Sequence, residues 1–133
     1  MNIVPEDFQD LLEDKTRAFV YLATIMPDGT PQVTPVWFNT QGDYVLINSA
    51  EGRVKDRNMR TNHHVALAIS DPDNAYRYIQ IRGQVVEITE VGAREHIDQL
   101  SKKYTGRDTY TTSQVNEQRV IYIIKPEKIN VKG

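Results

Sequence analysis

Short strand-like segments separated by turns most strongly constrain the fold of this chain. Six runs rich in β-branched and aromatic residues follow one another, with turn residues such as Pro27–Thr30 and Asp71–Asn74 between them. The regular alternation of strands with long helices that is typical of a parallel sheet is missing. We therefore predict a mainly β protein with a few helices, in which a six-stranded antiparallel sheet curls into a small barrel. The six predicted strands are Arg17–Met26, Gln32–Phe38, Tyr44–Ser49, Val65–Ser70, Tyr76–Ile88 and Arg119–Lys125.

Two residues predict where the sheet departs from a regular ladder. Pro35 has no amide hydrogen to donate, so the second strand should lie at a sheet edge or contain a bulge at this point. An interrupted ladder leaves backbone groups free. Gly83 stands in the middle of the longest extended segment and predicts a bulge or a bend. Long bent strands are the means by which small barrels turn corners.

Three segments carry helical signals. The apolar residues of Pro5–Lys15 are spaced three and four apart, which predicts a short amphipathic helix. Arg53–Thr61 is rich in helix formers and is predicted to make one or two turns. The one long helix is predicted after Thr89, which we expect to cap it, and before Gly106, which we expect to end it. Its apolar positions are Ala93, Ile97, Leu100 and Tyr104.

Length and residue content limit the class of protein. A chain of 133 residues and 15.3 kDa is expected to form one domain over residues 1–133. The absence of cysteine excludes disulfides, thiolate nucleophiles and iron–sulfur clusters. The longest unbroken apolar run has six residues, whereas a membrane helix needs about twenty, and the first residues show no secretory pattern. We therefore expect a cytoplasmic protein without a membrane partner.

The residue patterns of common metal and hydrolytic sites are not found in the sequence. His63 and His64 are adjacent and would point to opposite faces of a strand, while His96 stands alone on the predicted long helix. Asp71 and Asp73 are spaced like the start of a calcium loop, but the glycine and glutamate of that loop do not follow. We predict no metal site. Nucleophile-elbow, Walker and dinucleotide-binding motifs are also missing, so no catalytic residue is predicted.

Positive charge is concentrated in one segment of a slightly acidic chain. The formal net charge of −2 and the pI of about 5.9 give no overall attraction to a polyanion. Residues 52–60 nevertheless contain four cations against one acid: Arg53, Lys55, Arg57 and Arg60. At a strand end Arg53 and Lys55 would share a face, and together they can hold one phosphate. A solvated run of charges is the alternative, whereas nucleic-acid binding is disfavoured because no aromatic platform neighbours the segment.

Three motifs resemble those of a known family. They are Ala-Thr-Ile-x-x-Asp-Gly-x-Pro-Gln at 23–32, Gly-Arg-Val-Lys-Asp-Arg-Asn at 52–58 and Tyr-Arg-Tyr-Ile-Gln-Ile-Arg-Gly at 76–83. With them the chain resembles the pyridoxamine 5′-phosphate oxidase-like superfamily, and more narrowly its small flavin- or deazaflavin-dependent oxidoreductases. The resemblance implies a split β-barrel of the FMN-binding type. It also implies a homodimer with two cofactor sites at the subunit interface.

The resemblance further implies which residues bind the cofactor. Arg53 and Lys55 would hold its phosphate, and Tyr76 and Tyr78 would reach across from the partner subunit. The cofactor of such enzymes carries the hydride chemistry, which agrees with the lack of a predicted catalytic residue. The remaining implied residues lie beside the phosphate (Arg57, Asn58) or on strands near the ring (Pro35, Val36, Asn48, Ser49).

The leading functional prediction is therefore an oxidoreductase that transfers hydride between its cofactor and a small organic substrate. FMN is the first choice, because it is the commoner ligand of the superfamily, and coenzyme F-420 is the alternative. Coenzyme F-420 ends in a polyglutamate tail, which Arg57, Arg60 and Arg77 could meet. The Arg-Leu-x-Pro ending of pyridoxamine phosphate oxidases is absent, which argues against vitamin B6 oxidation. A non-catalytic flavin or haem carrier is the competing function.

Overall fold

Strands are the main secondary structure of the computed structural model, which describes residues 1–111 and 117–133. The chain begins with a 3-10 helix over Glu6–Leu12 and a 3-10 turn over Asp14–Thr16. No helix of the described residues is long and apolar enough to cross a membrane. The elements that follow are β1 (Val20–Ile25), β2 (Pro31–Val36), β3 (Phe38–Gln41), β4 (Tyr44–Ala50), α1 (Val54–Thr61), β5 (His64–Asp71), β6 (Asn74–Thr89), α2 (Ala93–Thr105) and β7 (Arg119–Lys132).

The described strands form one antiparallel sheet in the order β2-β1-β5-β6-β7-β4-β3. β2 and β3 are therefore at opposite ends of the sheet, although only Trp37 separates them in the chain. This connection requires the sheet to curl until its two ends approach each other. The curled antiparallel sheet confirms the predicted mainly β, split-barrel fold.

The number of strands differs from the prediction, because the structure has seven in its described part where six were expected. The predicted strand Gln32–Phe38 is interrupted at Trp37, where the chain leaves one end of the sheet and joins the other. The last strand also continues beyond Lys125 to Lys132. It does so because it pairs with β6 from Ile121 to Lys132, and Pro126 lies opposite Gly83 at a shift in the register.

Pro35 and Gly83 have the structural consequences expected of them. Pro35 lies on β2, a terminal strand of the sheet, so its missing N–H falls on an edge strand. The register of β6 against β7 shifts between Arg82 and Gly83. A side chain at Gly83 would place its Cβ only 2.3 Å from the backbone oxygen of Lys125. The two strands can approach this closely only because residue 83 has no side chain.

The core lies inside the curled sheet and alternates along each strand with outward-facing residues. Val20 and Leu22 of β1 face it, and the 3-10 helix contributes Phe8, Leu11 and Leu12. The amphipathic pattern at the N-terminus thus correctly predicts a helix that packs on the core. The largest fully buried side chains include Tyr122, Phe38, Ile47, Leu67, Ile79, Ile81 and Ile124.

The long helix α2 packs on the outer side of the sheet, where Ala93 meets Leu46 of β4 and Ile121 of β7. Gly106 ends it in the left-handed conformation with a φ of 79°, as predicted. The prediction that Thr89 caps its start is wrong. Gly92 occupies the cap position, while Thr89 ends β6 and accepts a hydrogen bond from the amide of Val91 through its hydroxyl.

Candidate functional site

The cation-rich segment forms the turn between β4 and α1. Gly52 adopts a φ of 91°, which a glycine reaches without strain, and Arg53 is the cap residue of α1. Lys55 follows in the first helical turn. The two cations therefore lie at a helix start and not at the strand end that was predicted. The positive end of the helix dipole adds to their charge at this position.

Asp56 holds this turn in place from inside the protein. The carboxylate is buried and accepts hydrogen bonds from the Gly52 amide at 2.9 Å, the Tyr122 hydroxyl at 2.5 Å and Arg60 Nε at 3.0 Å. Burial by itself raises the pKa of Asp56, but these hydrogen bonds outweigh burial, so the pKa lies below its ordinary value. Asp56 thus remains charged and forms an ion pair with Arg60, so Arg60 is not available to a ligand.

Arg53 and Lys55 line a cavity of about 230 Å³ beside the connection from β2 to β3. Its lining combines cationic groups with apolar and aromatic ones. Five of the ten predicted cofactor-binding residues meet here: Pro35, Val36, Asn48, Arg53 and Lys55. The cavity is completed by Trp37, Ile97, Tyr110 and Arg119.

The described part of the cavity carries more positive than negative charge. Arg53, Lys55 and Arg119 line it, and one carboxylate, that of Glu117, contacts both arginines; its oxygen lies 3.6 Å from Arg53 Nη2. Lys55 has no ion pair or hydrogen bond within residues 1–111 and 117–133. Burial lowers the pKa of Lys55, and the charges of Arg53 and Arg119 lower it further. An anion bound in the cavity would relieve this repulsion.

Arg119 is the main site residue that the sequence analysis missed. It is only 5% exposed, and its guanidinium lies 5.2 Å from the centre of the Tyr110 ring. Its Nε donates a 2.8 Å hydrogen bond to Asn48 Oδ1, and its Nη1 donates to Glu117. The sequence offered one signal, because Arg119 is a lone arginine at the start of an otherwise apolar strand. A buried cation needs hydrogen-bond acceptors or an opposite charge beside it.

Asn48 continues the contacts of Arg119 into α2. Its Nδ2 donates to the backbone oxygen of Ala93 at 2.8 Å and lies 3.1 Å from His96 Nδ1. The other ring nitrogen of His96 lies 2.8 Å from Asn39 Oδ1. Burial lowers the pKa of His96 to about 4, with a further contribution from Arg119. His96 is therefore neutral at pH 7.

A row of aromatic rings leads away from the cavity. Trp37 stacks on Tyr104 at 5.2 Å, Tyr104 stacks on Phe19 at 5.3 Å, and Tyr110 meets Trp37 edge-on at 6.0 Å. The Tyr104 hydroxyl donates a 2.6 Å hydrogen bond to the Ala18 oxygen. These contacts hold Trp37 and Tyr110 as an aromatic part of the cavity wall.

Three predicted site residues near the cation turn do not line the cavity. Ser49 follows Asn48 on β4 and is buried. Its hydroxyl has no hydrogen-bond partner among the described residues. Arg57 is exposed and donates to the Gly52 oxygen at 2.7 Å. Asn58 is buried and donates to the Thr24 hydroxyl at 3.0 Å. In this chain Arg57 and Asn58 hold α1 in place.

Tyr76 and Tyr78 lie at the start of β6, outside the set of residues that line the cavity. The Tyr76 side chain is 82% exposed. Arg77, between them, is bound to Asp10 at 2.6 Å and to Asp71 at 3.0 Å. Arg77 therefore fastens the N-terminal 3-10 helix to β6. The prediction that the two tyrosines act across a subunit interface stays a prediction.

A larger cavity of about 520 Å³ lies on the outer faces of β1, β5 and β6 and is lined by small residues such as Ala23, Ala66 and Gly83. None of the ten predicted cofactor-binding residues lines its described wall. The smaller cavity is the better candidate, because charge and aromatic groups converge there.

Comparison with known proteins agrees with the fold. The family model for pyridoxamine 5′-phosphate oxidase matches residues 4–133. A solved structure of an F420 reductase is 34% identical, with 96% of this chain and 98% of that chain covered and a TM-score of 0.81. No protein with a curated description matches the sequence significantly.

Two more distant structures share the fold. A conserved hypothetical protein from Mycobacterium tuberculosis is 23% identical, with 97% of this chain and 84% of that chain covered and a TM-score of 0.72. The HupZ protein of Group A Streptococcus is 18% identical, with 96% and 93% covered and a TM-score of 0.69. At these identities the likeness concerns the backbone architecture.

Proposed function

Because the chain belongs to the pyridoxamine 5′-phosphate oxidase family, we propose that it is an oxidoreductase that binds a phosphate-bearing flavin or deazaflavin. The bound cofactor would supply hydride transfer to or from a small organic substrate. One observation carries the proposal. Arg53 and Lys55 line one cavity together with apolar and aromatic groups, among them Val36, Trp37 and Tyr110. A cofactor with an anionic group and a flat ring matches this combination.

The pair of Arg53 and Lys55 fits a phosphate group in its chemistry. Arg53 can donate two parallel hydrogen bonds, whereas Lys55 acts as a point charge, and both lie where the amide groups of α1 begin. Asp56 fixes the turn through the Gly52 amide, so the cations are positioned before a ligand arrives. The phosphate of FMN or of coenzyme F-420 would be held by Arg53 and Lys55.

The apolar and aromatic part of the cavity lining fits a ring. Pro35 and Val36 belong to a terminal strand of the sheet, so the outer backbone edge of β2 is available to polar ring atoms. Trp37 and Tyr110 supply aromatic surface that excludes water. In this proposal the protein binds and orients the ring, and the side chains of Pro35, Val36 and Trp37 select its position.

Coenzyme F-420 is the cofactor we propose first, and FMN is the second candidate. The 34% identical solved protein is an F420 reductase, and the match covers 96% of this chain. Charge does not separate the two cofactors. Arg60 is bound to Asp56 and Arg77 to Asp10 and Asp71, so of the three cations expected to meet a polyglutamate tail, only Arg57 is not paired with an acid in the described structure.

We further propose that the protein acts as a homodimer. Tyr21 of β1 is 45% exposed and lies opposite Pro35, and Val33, on the same strand as Pro35, is 62% exposed. A second subunit placed there would cover this apolar surface and enlarge a cavity of 230 Å³ that is small for a whole flavin. Sedimentation should give about twice 15.3 kDa, and a monomer with cofactor still bound would contradict the shared site.

Titration with both cofactors followed by turnover tests the proposal. Coenzyme F-420 should bind more tightly than FMN, and added salt should weaken its binding more, because its tail carries several charges. Reduced coenzyme F-420 should then transfer hydride to a quinone or an unsaturated carbonyl compound. Tight binding without turnover on a panel of acceptors would instead favour the non-catalytic carrier. Failure to bind either cofactor would refute the proposal.

A further inference from the structure

The orientation of the Asn48 side chain is fixed by its neighbours. An amide nitrogen carries two hydrogens, and those of Asn48 are directed at the Ala93 oxygen at 2.8 Å and at His96 Nδ1 at 3.1 Å. Its oxygen must then face Arg119 Nε, which is a donor, at 2.8 Å. The reversed amide would bring two N–H donors together at Arg119 and would leave the Ala93 oxygen facing another oxygen.

The tautomer of His96 follows from the same contacts. Nδ1 has to accept from Asn48, so the proton of the neutral ring lies on Nε2, where it donates to Asn39 Oδ1 at 2.8 Å. Both ring nitrogens are thereby used, and the ring is 4% exposed. Placing a second proton on Nδ1 would set two donors against each other.

From this chain of bonds we propose that Arg119 is a third anion-binding residue of the cavity and that His96, acting through Asn48, is the positioning residue that keeps Arg119 in place. The inference rests on the proposed anion site and names two residues that it did not need. Arg119 lines the same cavity as Arg53 and Lys55. Its Nε and Nη1 are held by Asn48 and Glu117, and within residues 1–111 and 117–133 its Nη2 has no hydrogen-bond partner, so Nη2 is the donor that we assign to a ligand.

The charge on His96 then controls the site. A protonated ring would turn the Asn48 amide, and the turned amide would present a donor to Arg119 and release it. The groups around His96 are Asn39 from β3, Asn48 from β4 and Arg119 from β7. Glu95 of its own helix joins them, because it lines a further cavity together with His96 and Asn39. Of these the charged ones are Arg119, which opposes protonation, and Glu95. We therefore expect anion binding to weaken in acid as His96 becomes protonated.

Three substitutions separate this role from general stability. Arg119→Met removes the cation and keeps the length of the side chain. His96→Leu removes the acceptor for Asn48. His96→Asn places an amide oxygen near the position of Nδ1, so it keeps the acceptor but cannot be protonated. His63→Leu is the control, because His63 is an exposed histidine just before β5.

Binding of coenzyme F-420 and of FMN should be measured for each variant between pH 4 and pH 8. Arg119→Met and His96→Leu should weaken both by roughly tenfold to a hundredfold, as expected for one charge-assisted hydrogen bond. The double variant that combines Arg119→Met with His96→Leu should bind the cofactors no more weakly than Arg119→Met alone, since His96 acts through Arg119. His96→Asn should bind nearly as the wild type and lose the decline in acid, and His63→Leu should change nothing.

Nuclear magnetic resonance of the free protein gives a readout that needs no ligand. Nitrogen shifts of His96 should report the tautomer with its proton on Nε2, and the Arg119 Nε–H signal should move as the ring titrates. A proton on Nδ1, or additive losses in the double variant, would overturn the inference while leaving the proposed function intact. If neither cofactor binds, the proposed function fails. The His96 tautomer would then still test whether His96 positions Arg119 through Asn48.

Discussion

The Tyr122 hydroxyl donates a 2.5 Å hydrogen bond to Asp56 Oδ1 and so ties the buried face of β7 to the turn that carries the site. Asp56 passes this constraint to Gly52 through a second hydrogen bond at 2.9 Å. The position of Arg53, the next residue, therefore depends on a phenol in the core. We therefore expect the stability of the protein and its affinity for the cofactor to depend on each other at this point.

Tyr122→Phe should lower both the stability of the protein and its affinity for the cofactor. Loss of a hydrogen bond to a buried carboxylate is expected to reduce the free energy of unfolding by about 1.5–3 kcal/mol. The cation turn should loosen, and cofactor binding should weaken as well. Urea unfolding and cofactor titration measure the two effects. Tyr44→Phe is the matched control, because Tyr44 is 41% exposed and its hydroxyl has no hydrogen bond in the described structure.

Removal of either anchoring cation should weaken cofactor binding while the protein stays folded. Arg53→Ala and Lys55→Ala should each raise the dissociation constant by roughly tenfold to a hundredfold. Lys15→Ala serves as the control, because Lys15 is an exposed cation whose recorded ion pair is with Glu13. Unchanged affinity in both site variants would mean that residues 52–60 are a solvated run of charges.

Cofactor binding should also weaken in alkaline solution. The pKa of Lys55 lies below its ordinary value of 10.5, because burial and the neighbouring arginines disfavour the charged form. A bound anion favours that form, so the protein takes up a proton on binding at high pH, and affinity falls as the pH rises through this lowered pKa. Titrations from pH 7 to pH 10.5 test this. Lys55→Arg should give a flatter profile.

Acid should destabilise the protein through His96. The pKa of this ring falls from about 6.5 when unfolded to about 4 when folded. The unfolded chain therefore binds this proton first as the pH falls. The free energy of unfolding is unaffected by His96 above pH 6.5 and decreases as the pH falls towards 4, by about 3 kcal/mol in total. Carboxylates add their own dependence, so the useful quantity is the difference between the wild type and His96→Asn. Equal acid sensitivity of the two proteins would contradict the prediction.

Gly83→Ala tests the close approach of β6 and β7. The new Cβ would stand 2.3 Å from the Lys125 backbone oxygen, which cannot move aside as a flexible side chain would. We expect a loss of about 1–3 kcal/mol in the free energy of unfolding, measured by urea denaturation. Gln80→Ala, at an exposed position of the same strand, should change it by less than about 0.5 kcal/mol.

The fold was largely predictable, because its strands carry local signals. Pro35 indicated an edge strand, and Gly83 indicated the shift in β6. The interruption at Trp37 was not predictable, because tryptophan is a good strand residue and nothing local marks it as a break. The break arises from the closure of the whole sheet. Thr89 was misjudged for a related reason: its hydroxyl can stabilise a turn as well as a helix start.

The candidate site was predictable only where its residues are close in sequence. Arg53 and Lys55 stood out as a local cluster, although the reason given, a shared strand face, was wrong. Arg119 and His96 could not be assigned in this way. Each is an isolated polar residue in its own element, and only the pairing of β4 with β7 brings Asn48 between them.

The connection at Trp37 has a consequence for ligand exchange. β2 and β3 end the described sheet without a ladder between them, and the cavity lies beside their junction. Elsewhere in the sheet, widening a gap between neighbouring strands would break rows of backbone hydrogen bonds. Here no ladder of the described sheet spans the gap, so a flat molecule would not have to break a described strand pair to reach the cavity. We therefore expect a ligand to be exchanged at this junction without loss of backbone hydrogen bonds between strands.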